Sequence, residues 1–303
     1  MARYYPADLT AESLQDKVIV ITGGANGIGA SLVEYSCQHG AYVCIGDVAV
    51  AAGARLVESV CATSPASSLP RAMFQKTDVS DYQSILDLFD TAYKTYNRID
   101  HVVTAAGMLE IGNWFDPHLT LETVREAPPT TVLNINLLGT LFVARIAAVY
   151  LRQNRPPHTD RSLTFISSVA GFKETPGMFV YQATKHGILG LMRSLRPYLP
   201  AAVHRLRVNA VCPWMTETEM VRHITEGWKQ ARLPLNSAQS VAVIVAGLVA
   251  DPNLTGKAMY VEGGRAWEIE DNLTRLEPEW LGEEPSRSLA RGQEFLAEGS
   301  KWQ

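Results

Sequence analysis

The stretch Lys17-Val18-Ile19-Val20-Ile21-Thr22-Gly23-Gly24-Ala25-Asn26-Gly27-Ile28-Gly29 decides the fold. Its first five residues form a short β-branched run, the pattern of a strand buried in a parallel sheet. A glycine-rich turn follows, and Ile28 to His39 then reads as a helix closed by Gly40. Strand, glycine turn and helix together let backbone approach a pyrophosphate and aim the N–H groups and positive dipole of a helix N-terminus at it. Taken alone, the same residues would also fit an ordinary βα turn.

Working outward, Ala41 to Gly46 reads as the next strand and ends in Asp47, eighteen residues after Gly29. An acid there can accept hydrogen bonds from both adenosine ribose hydroxyls and repel a 2′-phosphate. No arginine or lysine lies in the glycine loop or beside Asp47, so NAD is expected over NADP. The competing role for Asp47 is a helix N-cap. Arg71 to Lys76 is another strand, and Ser80 or Asp81 caps a helix through Tyr96. Asp100 to Thr104 is the fourth strand. Ala105-Ala106-Gly107 after it are small enough for a flat ring or ribose to lie against the backbone. Leu163 to Ile166, Leu206 to Cys212 and Met259 to Val261 continue the series. Met259 to Val261 is expected to close the sheet before the turn Glu262-Gly263-Gly264. Such alternation predicts an α/β fold with helices on both faces of a parallel sheet.

Composition narrows the function. The chain has 303 residues, 47% of them hydrophobic, and a net charge of −4 without a basic block. That suits one large domain with a sizeable core and no nucleic-acid partner. No run of eighteen apolar residues predicts a membrane span. The N-terminus, Met1 to Asp16, lacks an apolar signal core. Cys37, Cys44, Cys61 and Cys212 lack metal-ligand spacing, so no metal is expected. Reduced cysteines fit a cytoplasmic protein.

The chemistry points to Tyr181-Gln182-Ala183-Thr184-Lys185. Residues four apart share a helix face. An ammonium beside a phenol lowers its pKa from about 10. The pair is therefore expected to exchange a proton with a substrate hydroxyl near neutral pH.

Together these residues resemble the short-chain dehydrogenase/reductase family, over roughly Lys17 to Gly264. Thr22-Gly23-x-x-x-Gly27-Ile28-Gly29 looks like the family's cofactor loop, with Asn26 inside it. Asp78-Val79 looks like its adenine-contacting pair. Asn136 matches its relay asparagine, and Ser168, thirteen residues before Tyr181, its serine. Tyr181 and Lys185 match its Tyr-x-x-x-Lys pair. The resemblance implies a Rossmann-type doubly wound parallel β-sheet in a single domain, residues 1–264. It implies hydride transfer with proton relay. Tyr181 would take the hydroxyl proton. Lys185 would depress the phenol's pKa and bind the nicotinamide ribose. Ser168 would orient the carbonyl, and Asn136 would hold a water linking Lys185 to solvent. Ala105, Ala106, Gly107, Pro213 and Thr218 would complete the cofactor site. Two departures stand out. Thr104-Ala105-Ala106-Gly107 replaces Asn-Asn-Ala-Gly, putting the ties of the fourth strand in question. Pro213-Trp214 replaces Pro-Gly, which suggests a reshaped pocket wall.

Phe172, Met178, Phe179, Trp214, Met215 and Trp228 fall in segments expected near the site, and suggest an apolar substrate. Thr216 to Trp228 and Gln230 to Pro234 would form a lid. Leu109 to Thr130 and Gln153 to Arg161 read as surface loops. The extension 265–303 carries five basic and nine acidic residues, interrupted by Trp267, Leu273, Leu276, Trp280, Leu281, Leu289 and Phe295. It is expected to pack over the pocket or a neighbouring subunit. The leading expectation is an NAD-dependent dehydrogenase acting on an apolar, aromatic or polycyclic secondary alcohol or its ketone. The overall resemblance is to dehydrogenases of specialised metabolism. Alternatives are a dinucleotide-binding scaffold without turnover, or the same fold used for cyclisation or dehydration. The resemblance also implies a homodimer or homotetramer, through helices around Val132 to Leu151 and Met178 to Leu199.

Overall fold

A computed structural model of the chain describes residues 3–4, 13–63, 69–154, 156, 159–199 and 205–297. Most of the N-terminal segment and the last six residues of the extension, with parts of the 153–161 loop, lie outside them. The strands are β1 (Arg3–Tyr4), β2 (Val18–Thr22), β3 (Tyr42–Asp47), β4 (Ala72–Lys76), β5 (His101–Thr104), β6 (Ser162–Ile166), β7 (Arg207–Pro213), β8 (Thr216–Glu217), β9 (Asn236–Ser237), β10 (Ala258–Glu262) and β11 (Arg265–Glu268). Nine of them form one sheet in the order β1-β11-β10-β7-β6-β5-β2-β3-β4. The pairings from β4 across to β10 are all parallel. Here the sequence reading needs one correction. The sheet does not close at Val261, because β11 pairs antiparallel with β10 and β1 with β11. Residues 263 and 264 are the hairpin turn between two strands of one sheet.

The apolar runs are explained by the two faces. Ile19, Ile21, Val43 and Ile45 pack with Leu32 and Val33 of α1 (Gly27–Gln38), Leu56 of α2 (Val50–Thr63) and, further along the same face, Val241 and Val245. Val20, Cys44, Val102 and Leu163 pack on the other face with Leu88 and Phe89 of α3 (Tyr82–Tyr96). Strand side chains alternate in direction, so every second residue serves each face. Asp81, not Ser80, caps α3, its side chain accepting from Gln83 N–H at 3.0 Å.

Thr131–Tyr150 runs as one helix: α4 (Thr131–Leu133), a π turn at Asn134–Leu138, then α5 (Gly139–Tyr150). It is long and apolar enough to cross a membrane by composition alone. Its apolarity has a place within the fold, because Val143, Ile146 and Ala147 are buried with Ile188 and Leu189 of α6 (Phe179–Leu195). Leu138, Leu141 and Val149 remain exposed on it. The later helices are α7 (Arg222–Gln230), α8 (Ala238–Ala250), α9 (Glu270–Arg275), α10 (Glu277–Leu281) and α11 (Glu283–Ala297). Val241 and Val245 belong to α8, which therefore lies beside α1.

Candidate active site

In a doubly wound sheet the ligand crevice opens at the carboxyl ends of the strands where the chain reverses direction. Here that point lies between β2 and β5. Two adjoining cavities open there, of about 410 Å³ and 310 Å³. Ile28, Ala105, Gly107, Ile166 and Thr218 border both.

The larger cavity is lined by Gly23, Asn26, Gly27, Ile28, Gly29, Asp47, Asp78, Val79, Ala105, Ala106, Gly107 and Thr218, all predicted from the sequence. Its floor admits no side chain at two glycines. Gly23 has φ +69°, and a Cβ there would stand 2.4 Å from Ala106 N; one on Gly29 would stand 2.1 Å from Gly23 O. At both positions glycine is required because the turn packs directly on the protein's own backbone. Asp47 ends β3 at the cavity wall, and it does not cap α2, which begins three residues later at Val50. It lines the cavity, while Oδ2 accepts from Ala25 N–H (3.0 Å) and Oδ1 from Ala49 N–H (2.9 Å), bracing the glycine loop and the turn into α2. Asp78 accepts from the Ser80 N–H and hydroxyl. Thr104, standing where the family has an amide, leaves its buried Oγ1 without a partner, as does Thr22 on the neighbouring strand. Backbone still ties the loop, with Ala105 N–H donating to Thr22 O at 2.9 Å.

The smaller cavity holds Ser168, Tyr181, Lys185 and Pro213. The Lys185 ammonium is buried, donates to Ile166 O at 3.1 Å and lies 5.5 Å from the Tyr181 ring centroid. Desolvation lowers its pKa to about 8. The tyrosine departs from expectation. Burial raises its phenol above the ordinary value, and the hydrogen bond from Ser168 pulls it back only in part. In the chain by itself, desolvation outweighs any help from the neighbouring lysine. Ser168 also caps the turn Val169–Gly171, accepting from Ala170 N–H at 3.2 Å.

Asn136 is fully buried inside the π turn, where such turns often mark a working residue. Its amide is closed on Met108, accepting from Met108 N–H and donating to Met108 O, both at 2.9 Å, with a longer bond to Thr184 Oγ1. The side chain is thus committed, and any water link falls to its backbone carbonyl, which already accepts from Thr140 Oγ1.

Met178, Trp214, Met215 and Trp228 line the smaller cavity as expected. Phe172 does not. Its ring turns from the cavity onto Tyr260, edge to face at 5.9 Å between centroids, and joins the core. Phe179 stacks on Phe115 instead. The sequence reading missed Met108, Met220, Val221, Ile224 and His223, all on the cavity wall. Part of the signal was present, because Met220, Ile224 and Trp228 recur at helical spacing along α7 and the turn before it. The lid segment is clasped at its base, where β8 pairs with β9 and Asn236 bonds Val261 O and Gly264 N–H. The extension 265–303 contributes no residue to either cavity among the described residues.

Residues 17–229 match the family profile described as short chain dehydrogenase. A short-chain dehydrogenase/reductase of Acremonium egyptiacum, ascJ, is 31% identical over 86% of this chain and 83% of its own length. The 5'-hydroxyaverantin dehydrogenase of Dothistroma septosporum is 24% identical, covering 93% of this chain and 94% of itself. Among solved structures, a 3-ketoacyl-(acyl-carrier-protein) reductase of Brucella melitensis complexed with NADH superposes with a TM-score of 0.70 at 21% identity. It covers 83% of this chain and 98% of its own.

Proposed function

The chain belongs to the short-chain dehydrogenase family, and on that premise we propose that it interconverts an apolar secondary alcohol and its ketone with NAD. The observation that carries the reading is the meeting of Ser168, Tyr181 and Lys185 in one small cavity that adjoins a glycine-floored larger one. A bound nicotinamide dinucleotide supplies the hydride acceptor or donor. Its fit is supported by the larger cavity, where the glycine loop at the N-terminus of α1 lines the wall together with Asp47, Asp78 and Gly107. NAD over NADP is supported by Asp47 on the cavity wall and by the absence of lysine and arginine among its lining residues.

The protein's own groups then do the following. The Tyr181 phenol exchanges the proton of the substrate hydroxyl. Ser168 Oγ, in the same cavity as that phenol, orients the carbonyl oxygen. Lys185 is held by Ile166 O as a desolvated cation beside the ring, so its charge acts in a low dielectric. Asn136 fixes Met108 at the seam between the two cavities.

The substrate class follows from the wall. Met178, Met215, Met220, Trp214, Trp228 and Ile224 offer apolar and aromatic surface, and among the described residues His223 is the one titratable side chain on the wall besides Tyr181 and Lys185. This supports an aromatic or polycyclic alcohol rather than a small acid. Exposed Leu138, Leu141 and Val149 support pairing of this helix between copies in a homodimer or homotetramer. Four free cysteines, three of them buried, support a reducing cytoplasmic setting.

The test is NADH formation by the purified protein with NAD and a panel of secondary alcohols, aliphatic through polycyclic, beside Tyr181→Phe. Turnover should fall roughly 10²–10⁴-fold in the mutant while NAD still binds. Near-normal turnover in Tyr181→Phe would refute the acid–base assignment.

A further inference from the structure

We infer that Glu110 is a positioning residue for the active-site tyrosine: it caps, from a distant loop, the helix that carries Tyr181 and Lys185. The inference deepens the function proposed above and rests on it for its kinetic readout. The first N–H groups of a helix have no partner within it. In α6 the first helical bond runs from Gln182 N–H to Met178 O, which leaves Phe179, Val180 and Tyr181 ahead of it. The side chain at the cap position, Met178, has no oxygen to offer and makes no cap bond. It lines the substrate cavity instead. A serine or aspartate there would serve the helix and forfeit the apolar wall.

Glu110 resolves the conflict. Its Oε1 accepts from Val180 N–H at 3.1 Å and its Oε2 from Tyr181 N–H at 2.7 Å. A carboxylate here also faces the positive end of the helix dipole. The bond at Tyr181 acts on the backbone of the residue whose phenol must reach substrate.

The other end of the same short segment is equally fixed. Met108, two residues before Glu110, is held through both N–H and carbonyl by the buried Asn136 amide. Met108 borders both cavities. Residues 107–110 therefore strap the nucleotide side of the cleft to the first turn of α6. Asn136 anchors one end and Glu110 the other. Glu110 touches neither cavity, so its effect on turnover passes through the placement of Tyr181.

The experiment uses the full chain with Glu110→Ala and Glu110→Gln. Three quantities are read: hydrogen–deuterium exchange of the peptide spanning 179–183, NAD affinity, and kcat and KM on an alcohol from the panel. In Glu110→Ala, exchange at the Val180 and Tyr181 amides should quicken roughly five- to thirtyfold, the measure of a lost cap. Its kcat should fall about ten- to hundredfold, with NAD affinity within about twofold of wild type. Glu110→Gln keeps one carbonyl acceptor and should lie between. A merely structural role would lower the melting temperature while leaving kcat of the folded protein unchanged, and that result overturns the inference. If Glu110→Ala does not fold, Glu110→Gln carries the same readouts. If wild type turns over no alcohol, the proposed function fails separately. Unchanged exchange then overturns the cap, and faster exchange upholds it.

Discussion

Asp47 accepts from Ala25 N–H with one carboxylate oxygen and from Ala49 N–H with the other, while lining the larger cavity. The discrimination proposed for it and the bracing of the loop therefore rest on one group, and a substitution must remove both. Asp47→Ala should weaken NAD about ten- to hundredfold, as expected for losing hydrogen bonds to a charged acceptor. NADP should weaken less, because the repulsion of its 2′-phosphate goes too. Titration with both cofactors measures the ratio, and an unchanged ratio would remove Asp47 from cofactor choice. At this scale the sequence was readable wherever partners are local. Tyr181 and Lys185 sit one helical turn apart, and Ser168 is placed by the end of its strand. Glu110 was not readable, because its bond to Tyr181 spans 71 residues and a glutamate in a polar loop gives no sign of its target. Phe172 misled for the converse reason. An aromatic beside the site and an aromatic in the core look alike until Tyr260, far along the chain, takes one of them.

Among the elements, the lid differs most from a generic α/β layout. Trp214 follows β7 with its N–H bonded to Val261 O, so its backbone is anchored to the sheet at the end of β7. Trp228 rides on α7, packs edge to face on Trp214 at 5.3 Å and ties its indole N–H to Pro234 O at 2.8 Å. The pair joins fixed sheet to lid and forms one wall of the smaller cavity. Trp214→Gly should enlarge that cavity and raise the kcat/KM ratio of bulky over compact alcohols about tenfold, within the range that hydrophobic pocket contacts command. Losing the ring pair itself should cost only about 0.5–1.5 kcal/mol. A ratio that stays put would mean that substrate does not reach this wall. The strands and long helices of the parallel sheet were legible because buried runs and helical spacing are local signals. The π turn at Asn134–Leu138 was not, since nothing in its composition separates it from α-helix. Nor was β11, in which Arg265 and Glu268 flank Ala266 and Trp267 and the whole reads as polar extension.

For the molecule as a whole, the question is where the folded unit ends. β11 continues the sheet, and Glu268 just before α9 accepts from Glu270 and Asp271 N–H. Glu270 is buried and is forked onto Arg193, with Arg196 beside it at 2.7 Å. Both arginines lie at the C-terminal end of α6, where cations suit the helix dipole. The helix that carries Tyr181 is therefore held by a carboxylate at each end, Glu110 directly on its backbone and Glu270 through its arginines. Farther along, α11 packs on α10, while Trp280, Leu289 and Phe295 stay exposed. These facts divide the extension into a part the sheet needs and a part it does not. Truncation after Gly264 should lower the melting temperature by roughly 10 °C or more, because it opens the edge of β10 and removes the buried carboxylate that ties down Arg193 and Arg196. It should also reduce turnover through the loosened end of α6. Truncation after Gly282, which removes α11 and the six residues after it, should leave melting and turnover near those of the full chain and change only the assembled mass, read by size-exclusion chromatography with light scattering. Equal stability after the two cuts would mean that β11 and Glu270 add nothing to the folded unit, and that the domain ends at the hairpin turn after all.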